Sequence, residues 1–293
     1  MALAFEIDSS LDRTIFLESF RYFCAHHIPF SPKIFLTVNI GDYDSPDGIS
    51  LHAARFPDFK ILSFSSLLYP RLPIANVINI HVRHIRLSKQ DQRLVSRFFK
   101  FAAPLCIHSS VLIYCDSSLV LKPAPIYARI SDPPACGLVF FRHYCRQYAL
   151  AEIIAIFAVG YFDSACFSLK FFLSNPRKSS IFALQFSGGF YLVARHASLF
   201  SISELSASFS AAYHTLCCSS IRDQPIFASI MCNYYGEAHL DSASLVSVVE
   251  PISLRRSSSF NRIRLLRRLS FMIGKMIDLV LACLLVISRR SKS

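Results

Sequence analysis

The stretch from Val111 to Lys122, VLIYCDSSLVLK, decides how the rest of the chain is interpreted. Its first five residues form a short apolar run, which is typical of a strand buried on both faces of a parallel sheet. Asp116 follows that run directly. Because open α/β sheets bind ligands at the carboxyl ends of their strands, Asp116 is the first candidate for a binding residue.

Comparable apolar runs alternate with helical patterns on both sides of this stretch. We predict strands over residues 33–40, 59–64, 111–115, 136–141 and 190–194, and a further apolar stretch covers residues 75–80. We predict helices over residues 89–101, 152–172, 203–217 and 222–231, with Pro104 ending the first of them. This alternation indicates an α/β fold with a mostly parallel sheet flanked by helices.

The composition excludes a mainly disordered chain, because 53% of the 293 residues are hydrophobic. The net charge of +12 is unevenly spread. From Leu254 onward there are ten basic residues and one acidic residue, a net +9, whereas the remainder has 21 and 18, a net +3. We therefore predict a lead-in over residues 1–32, a domain over 33–253 and a basic tail over 254–293.

The tail reads as a basic helix followed by an apolar one. Lys275 and Asp278 interrupt the apolar part, which leaves it too short to span a bilayer. We expect the tail to lie on an anionic membrane surface, the alternative being that it packs onto the domain. Nucleic acid is not an expected partner, because aromatic side chains are sparse in the tail.

The chain start lacks the basic and long apolar regions of a signal peptide, which favours a cytoplasmic protein, peripheral at the membrane. None of the ten cysteines forms a C-x-x-C pair, so zinc binding is not expected. We expect these cysteines to be reduced and buried, with Cys115 and Cys166 in apolar runs.

Asp116 could hold a divalent ion that bridges the diphosphate of a nucleotide sugar. In such enzymes the motif is usually Asp-x-Asp, and here Ser118 stands in place of the second carboxylate. A single carboxylate leaves two expectations open, a reaction that depends on Mn²⁺ or Mg²⁺ and one that does not. The ordinary alternative is that Asp116 caps a turn.

Two further groups carry charged side chains. Arg146 could contact phosphate, and His143 could bind substrate or leaving-group oxygens, with Glu152 following in the same segment. Asp223, next to Arg222 and Gln224 at a helix start, could orient an acceptor hydroxyl or act as a base. For the group of His143, Arg146 and Glu152, the alternative is a solvated helix start with Glu152 facing water. For the group around Asp223, the alternative is a helix cap.

Two loops could hold nucleotide or sugar. Gly188 and Gly189 precede a strand, where a glycine pair permits close approach of the backbone to a ligand. In the loop after the first strand, Tyr43 could stack on a base and acids such as Asp44 could bind ribose hydroxyls, beside Asn39 and Gly41. For both loops the alternative is an ordinary turn.

Taken in order, these segments resemble a glycosyltransferase-like family shared by bacterial proteins and plant mucilage- and pectin-related proteins, long catalogued as a domain of unknown function. The resemblance covers roughly residues 33–235. It implies a GT-A-type nucleotide-diphospho-sugar fold in which Asp116 and Ser118 bind the donor. It also implies that His143, Arg146 and Glu152 match one family group, and that Arg222, Asp223 and Gln224 match another.

The expected function is transfer of a sugar from a nucleotide-diphospho-sugar to a saccharide or glycan acceptor. In this hypothesis Asp116 positions the diphosphate, Arg146 stabilises leaving-group charge, and Asp223 orients the acceptor or serves as the base. The alternative is a non-catalytic membrane- or glycan-associated protein on a degenerate transferase fold.

Overall fold

A computed structural model describes most of the chain, and its described residues fall into two compact units. The first unit comprises residues 1–141, 189–220 and 238–254, and the second comprises 142–188, 221–237 and 255–293. Each unit has a hydrophobic core of its own. The described residues are 3–8, 10–41, 47–66, 74–83, 87–117, 119–134, 136–141, 148–158, 161–174, 189–197, 202–217, 224–235, 249–251, Met272 and Met276.

A seven-stranded sheet forms the centre of the first unit. The described strands are β1 (Leu3–Glu6), β2 (Lys33–Asn39), β3 (Lys60–Ser65), β4 (Val77–Arg83), β5 (Val111–Cys115), β6 (Leu119–Leu121), β7 (Leu138–Val139), β8 (Phe190–Ala194) and β9 (Val249–Pro251). The order across the sheet is β1-β4-β3-β2-β5-β8-β7, while β6 and β9 form a separate antiparallel pair. The strands from β1 to β5 in this order are parallel, and β8 is antiparallel to both of its neighbours.

Helices cover both faces of this sheet, which confirms the predicted α/β class. The described helices are α1 (Arg13–His27), α2 (Asp47–Arg55), α3 (Lys89–Cys106), α4 (Pro123–Ser131), α5 (Ala149–Ala158), α6 (Phe162–Ser174), α7 (Ile202–Leu216) and α8 (Gln224–Tyr235). On one face, α2 and α4 pack on β2, β3, β5 and β8. On the other face, Phe64 lies 4.5 Å from Phe99 of α3 and Tyr191 lies 5.3 Å from Phe209 of α7, measured between ring centroids.

The helix starts in the first unit follow from local chemistry. Asp12 caps α1 by accepting hydrogen bonds from the backbone N–H groups of Thr14 and Ile15. Ser88 and Asp91 form a reciprocal capping box at the start of α3. Pro123 opens α4, where its missing N–H costs no hydrogen bond.

Residues 1–32, predicted as a lead-in, contribute two elements to the first unit. β1 pairs with β4, with Leu3 opposite Ile80, and α1 packs on α3. Residues 12–24, which the sequence leaves open as a short helix or part of the lead-in, lie almost entirely in α1, and no pattern indicates the strand at residues 3–6.

Pro104 does not end α3, contrary to the prediction, because the helix continues through it to Cys106. Proline has no N–H to donate to the carbonyl of residue 100. The hydroxyl of Tyr191 donates to that carbonyl instead. The carbonyl of Pro104 in turn accepts a hydrogen bond from Arg195 Nη2 at 2.8 Å.

The second unit is helical in its described part. α5, α6 and α8 pack on one another around a small core that includes Ile153, Ile156 and Phe172. The helix predicted over residues 152–172 is two helices, α5 and α6. The strand predicted over residues 136–141, in the first unit, is correct only for the two residues of β7.

Cys166 is exposed, which contradicts the prediction that it is buried. Five other described cysteines are buried as predicted: Cys24, Cys106, Cys115, Cys136 and Cys217. No helix among the described residues has both the length and the apolar character needed to cross a membrane. Of the tail, only Met272 and Met276 are described, and both are helical and exposed.

Candidate functional site

Asp116 lies where the strand order of the sheet reverses. From β2 the chain proceeds outward through β3 to β4 and then returns to β5 on the other side of β2. Leu36 of β2 is paired with Tyr114 of β5, so Asn39 and Asp116 stand at the carboxyl ends of adjacent parallel strands. Ligands of open α/β sheets bind outside the carboxyl ends of strands at such a switch point.

The half-buried Asp116 is fixed from several directions. The Tyr114 hydroxyl donates to its Oδ1 at 2.7 Å, because residues two apart on a strand project from the same face. Its backbone N–H donates to the carbonyl of Gly189 at 2.8 Å, and its own carbonyl accepts from Leu119 N at 3.0 Å. The carboxylate is therefore held in one orientation before any ligand binds.

Gly189 lies directly against this carboxylate. A Cβ added at residue 189 would stand 2.9 Å from Asp116 Oδ2 and 3.0 Å from Leu119 Cδ1, closer than real Cβ contacts. The glycine pair was predicted for close approach to a ligand. The close approach that the structure shows at Gly189 is to Asp116.

Aromatic rings and a buried cation support the Asp116 region. The Tyr114 ring stacks on Tyr191 with centroids 5.1 Å apart, and Lys100 Nζ lies 5.7 Å from the Tyr114 centroid. Burial raises the pKa of the Cys115 thiol well above its ordinary value, and the charge of Asp116 adds to this. The thiol is therefore protonated at neutral pH and is a poor metal ligand.

A row of polar side chains crosses β2, β3 and β4 and reaches the carboxyl ends of β2 and β3. Thr37 is paired with Ser63, and Ser63 with Asn79; one step further along, Asn39 is paired with Ser65, and Ser65 with His81. By strand alternation all six lie on the face covered by α2. Four of their buried atoms have no hydrogen-bond partner: Thr37 Oγ1, Ser63 Oγ, Asn79 Oδ1 and His81 Nδ1.

Unpartnered polar atoms at this depth are uncommon and cost free energy unless something binds them. Their position beside Asn39 makes them part of the same strand edge as the predicted nucleotide loop. Thr37 and Ser63 are only 2% and 1% exposed, so a ligand group that forms hydrogen bonds with their hydroxyls has to reach below the protein surface.

Asn39 and Gly41 fix the start of the loop after β2. Asn39 is buried, and its carbonyl accepts a hydrogen bond from Ser66 N at 3.3 Å. Gly41 has a φ of 94°, which favours glycine, and its N–H donates to Ser66 Oγ at 2.9 Å. The loop is thereby tied to the end of β3.

In the second unit, the structure describes two of the predicted site residues. Glu152 lies in the first turn of α5 and is 1% exposed, which contradicts the alternative that it faces water. Gln224 is the first residue of α8. The remaining predicted site residues lie outside the described part of the chain: Tyr43, Asp44, Ser118, His143, Arg146, Gly188, Arg222 and Asp223.

The described residues contain no group of three or more His, Cys, Asp or Glu side chains that could hold a metal ion. Mg²⁺ is commonly held by one or two carboxylates together with substrate phosphates and water. Asp116 is compatible with that arrangement as a single carboxylate. A site made of protein ligands alone is not formed by these residues.

Sequence reasoning missed Tyr114 and the polar row. Both had a signal in the sequence, because Tyr114 precedes Asp116 by two positions and therefore shares its face. The row appears as polar residues at alternate positions in three successive strands: Thr37 and Asn39, Ser63 and Ser65, Asn79 and His81.

These features define the class of the molecule as an α/β protein with a candidate ligand site at the carboxyl edge of its sheet. No protein-family profile matches the chain, and no curated protein resembles it in sequence. Among solved structures, the chain is similar to the mannosyltransferase Ktr4p from S. cerevisiae in complex with GDP. That likeness covers 87% of this chain and 90% of the other, with 7% identity and a TM-score of 0.39.

The chain is also similar to the galactosyltransferase LgtC in complex with donor and acceptor sugar analogues. This second likeness covers 72% of this chain and 73% of the other, with 10% identity and a TM-score of 0.40. Both similar proteins are glycosyltransferases.

Proposed function

We propose that this chain transfers a sugar from a nucleotide-diphospho-sugar to a saccharide or glycan acceptor. The observation that carries the proposal is the position of Asp116, held by Tyr114 at the carboxyl end of β5 where the strand order reverses. A fixed carboxylate at that edge can position a diphosphate through a bridging cation, without reorganising during the reaction.

The polar row supports a nucleoside at the same edge. A nucleoside carries both hydrogen-bond donors and acceptors, which are what the hydroxyls of Thr37 and Ser63 and the amide oxygen of Asn79 would need. In this proposal Asn39 and Gly41 start the loop that closes over the nucleotide, together with Tyr43 and Asp44. The buried serine and threonine would select against ligands that cannot hydrogen-bond.

A divalent cation fits the proposal through Asp116. Bound Mn²⁺ or Mg²⁺ would neutralise negative charge on the departing diphosphate. The protein would keep the Asp116 carboxylate oriented toward such a cation. The Tyr114 hydroxyl holds the carboxylate by a hydrogen bond, and Gly189, which has no side chain, leaves room for it.

The other predicted roles stay part of the proposal. Arg146 would stabilise leaving-group charge, His143 would bind substrate or leaving-group oxygens, and Asp223 would orient the acceptor or act as the base. Glu152, a buried carboxylate in the first turn of α5, would belong to the same group. Ser118, Gly188, Arg222 and Gln224 would complete the donor contacts.

A panel of UDP- and GDP-sugars tests the proposal on the full-length protein. Calorimetry with Mn²⁺, with Mg²⁺ and with a chelator should detect at least one donor, and coupled assays should detect release of the nucleoside diphosphate. Asp116→Asn should weaken donor binding at least about tenfold, a loss of about 1.4 kcal/mol. Asp58→Asn is the matched control, because Asp58 pairs with Lys33 near the amino end of β2.

Absence of binding by every donor to folded protein would refute the proposal. Binding without diphosphate release, whatever acceptor is supplied, would instead support the non-catalytic alternative on a transferase fold. Equal donor affinity of Asp116→Asn and wild type would remove Asp116 from the site.

We also propose that the basic tail binds an anionic membrane surface. The tail carries a net charge of +9, and its two described residues, Met272 and Met276, are apolar, helical and more than 60% exposed. Exposed apolar side chains spaced four residues apart lie on one side of a helix, as an interfacial helix requires.

A further inference from the structure

The polar row has an uncharged end that is remote from Asp116. It runs from β2 through β3 to β4, and its members are Thr37, Asn39, Ser63, Ser65, Asn79 and His81. None of these is an acid, a lysine or an arginine. Asp116 follows β5 on the other side of β2, so the members on β4 are separated from it by about 14 Å across the sheet at the usual strand spacing.

The two members of the row on β4 lie closest to the protein surface. Asn79 and His81 are half-buried, whereas Thr37 and Ser63 are almost fully covered. The Oδ1 atom of Asn79 has no hydrogen-bond partner. His81 lies two residues nearer the end of β4 on the same face, and its Nδ1 is a second atom without a partner. This end of the row is therefore the part that a bound ligand reaches most directly.

The parts of a nucleotide donor match this distribution of charge. The diphosphate carries the negative charge and the transferred sugar is bonded to it, so both belong at the Asp116 end. The base is uncharged and lies farthest from the sugar, because the ribose stands between the base and the phosphates. A donor that is held at Asp116 and extends over the end of β2 therefore brings its base toward β4.

We propose that Asn79 selects the base of the donor by binding the edge of uracil or guanine that carries an N–H beside a carbonyl oxygen. This inference rests on the proposed function and adds to it the residue that reads the base. An amide presents a donor and an acceptor side by side, so it can form two hydrogen bonds with such an edge. A site built on hydrogen bonds of this kind rejects bases whose edge cannot form them.

Water is the other group that would satisfy the Asn79 amide. A buried water molecule typically makes about three hydrogen bonds to polar groups that otherwise lack partners. If water alone occupies this place, the side chain at residue 79 has no influence on which base binds more tightly. If a base occupies it, a change of donors and acceptors at residue 79 changes the order of affinities. The two occupants therefore predict different binding data.

The variant Asn79→Asp tests the proposal through base preference. A carboxylate accepts from the two neighbouring donors of guanine, N1–H and N2–H₂, but repels the oxygens that flank the single N3–H of uracil. Calorimetry on the full-length protein with UDP and GDP should show the ratio of their dissociation constants shift at least about tenfold in favour of GDP. Gln92→Glu makes the same amide-to-acid change on α3 and should leave this ratio as in wild type. Asp116→Asn should weaken both nucleotides equally, because they share the diphosphate.

Methylated nucleotides test the same contact on the unaltered protein. UDP methylated at N3, or GDP methylated at N1, should bind at least about tenfold more weakly than its parent, and this penalty should nearly vanish in Asn79→Ala. An unchanged ratio of UDP to GDP affinity in Asn79→Asp, or an equal methylation penalty in wild type and Asn79→Ala, would overturn the role of Asn79 and leave the proposed function standing. Failure of folded wild type to bind either nucleotide would overturn the proposed function and this inference with it.

Discussion

At the scale of single residues, Gly189 and Asp116 act as one feature. The space that a Cβ at residue 189 would need is already occupied by Asp116 Oδ2, 2.9 Å away. Gly189→Ala should therefore displace the carboxylate, with overpacking that costs about 1–3 kcal/mol. We expect donor affinity, measured by calorimetry, to fall about tenfold.

Gly137→Ala separates this effect from general destabilisation. Gly137 has a φ of 65°, a conformation that costs a residue with a side chain about 1–2 kcal/mol. It should lower stability in urea unfolding by a similar amount to Gly189→Ala while leaving donor affinity near that of wild type. Equal losses of donor affinity in both variants would contradict the specific role of Gly189.

Tyr114 holds the same carboxylate through one hydrogen bond. Tyr114→Phe keeps the ring that stacks on Tyr191 but removes the hydroxyl that donates to Asp116 Oδ1. We expect donor binding to weaken by a factor of about ten, since a hydrogen bond to a charged group is worth about 1.5–3 kcal/mol. Tyr213→Phe, which removes a buried hydroxyl bonded to the carbonyl of Arg13, should leave donor binding unchanged.

His52 makes the stability of the first unit depend on pH. Burial lowers the pKa of His52 from 6.5 to about 4, and the nearby charge of Arg55 adds to this; its Nε2 accepts a hydrogen bond from Leu121 N. Because the folded pKa is below the unfolded one, the neutral form stabilises the fold above about pH 6.5. That contribution is lost as the pH falls toward 4, by up to about 3 kcal/mol.

The variant His52→Gln isolates this titration, because glutamine can still accept the hydrogen bond from Leu121. Urea unfolding between about pH 7 and about pH 5 should show a larger fall in the free energy of unfolding for wild type than for the variant. Carboxylates titrate in both proteins, so the difference between the two curves is the measurement. If the free energies of unfolding of wild type and variant fall in parallel with pH, the fold does not lower the pKa of His52.

The sequence could predict Asp116 but not its environment. Five apolar residues followed by an acid are visible in a single line of sequence. Gly189 is far along the chain, and its contact with Asp116 exists only because β8 pairs with β5, with Phe190 opposite Cys115. Pairing between distant strands has no local signature in the sequence. The sequence therefore predicts that the backbone at Gly189 approaches a ligand, and it does not predict the contact with Asp116.

At the scale of elements, α3 shows how a distant side chain overrides a local rule. Proline in a helix interior leaves the carbonyl four residues earlier without its usual donor, and the hydroxyl of Tyr191 donates to that carbonyl of Lys100. Tyr191→Phe should therefore lower the free energy of unfolding by about 1–3 kcal/mol, the cost of a buried polar group that loses its partner.

A second substitution in α3 tests the explanation. Pro104→Ala supplies an N–H that can donate to the same carbonyl, so it should recover part of the stability lost in Tyr191→Phe. In a double-mutant cycle by urea unfolding, the two changes should be non-additive by about 1 kcal/mol. Additive effects would mean that the tyrosine stabilises the helix in another way.

Element prediction succeeded where burial dominates the pattern. β5 and β8 lie over the predicted residues because both are continuous apolar runs of strand length. The short edge strand β1, with four residues, and the helices α2 and α4 were missed. α2 follows an Asp- and Pro-rich loop and α4 begins Pro-Ala-Pro, so both read locally as turns.

At the scale of the whole molecule, sheet order is what the sequence could not supply. Alternating strands and helices indicate a parallel sheet, yet they do not tell which strands are neighbours. The reversal between β2 and β5 places Asn39 and Asp116 at adjacent strand ends, although 76 residues separate them in the chain. The sequence therefore shows which residue types could form the candidate site, whereas only the strand order shows that they lie side by side.

Charge distribution is the other property of the whole chain, and it leads to the last prediction. The tail carries a net +9 and the remaining residues a net +3. Arg267→Ser with Arg268→Ser should weaken binding to phosphatidylserine-containing vesicles by about 2 kcal/mol, since each cation near an anionic leaflet contributes about 1 kcal/mol. Binding should also become less sensitive to salt, which screens such charges within about 10 Å at 0.1 M ionic strength.

Flotation over a salt series measures both effects on the full-length protein. Arg21→Ser with Arg93→Ser removes the same charge from exposed positions of α1 and α3, and should leave the salt dependence as in wild type. If both pairs of substitutions weaken binding equally, overall net charge drives the association and the tail has no special role. If only the substitutions in the tail weaken binding, the position of the positive charges matters more than the net charge of the chain, as expected for an interfacial helix.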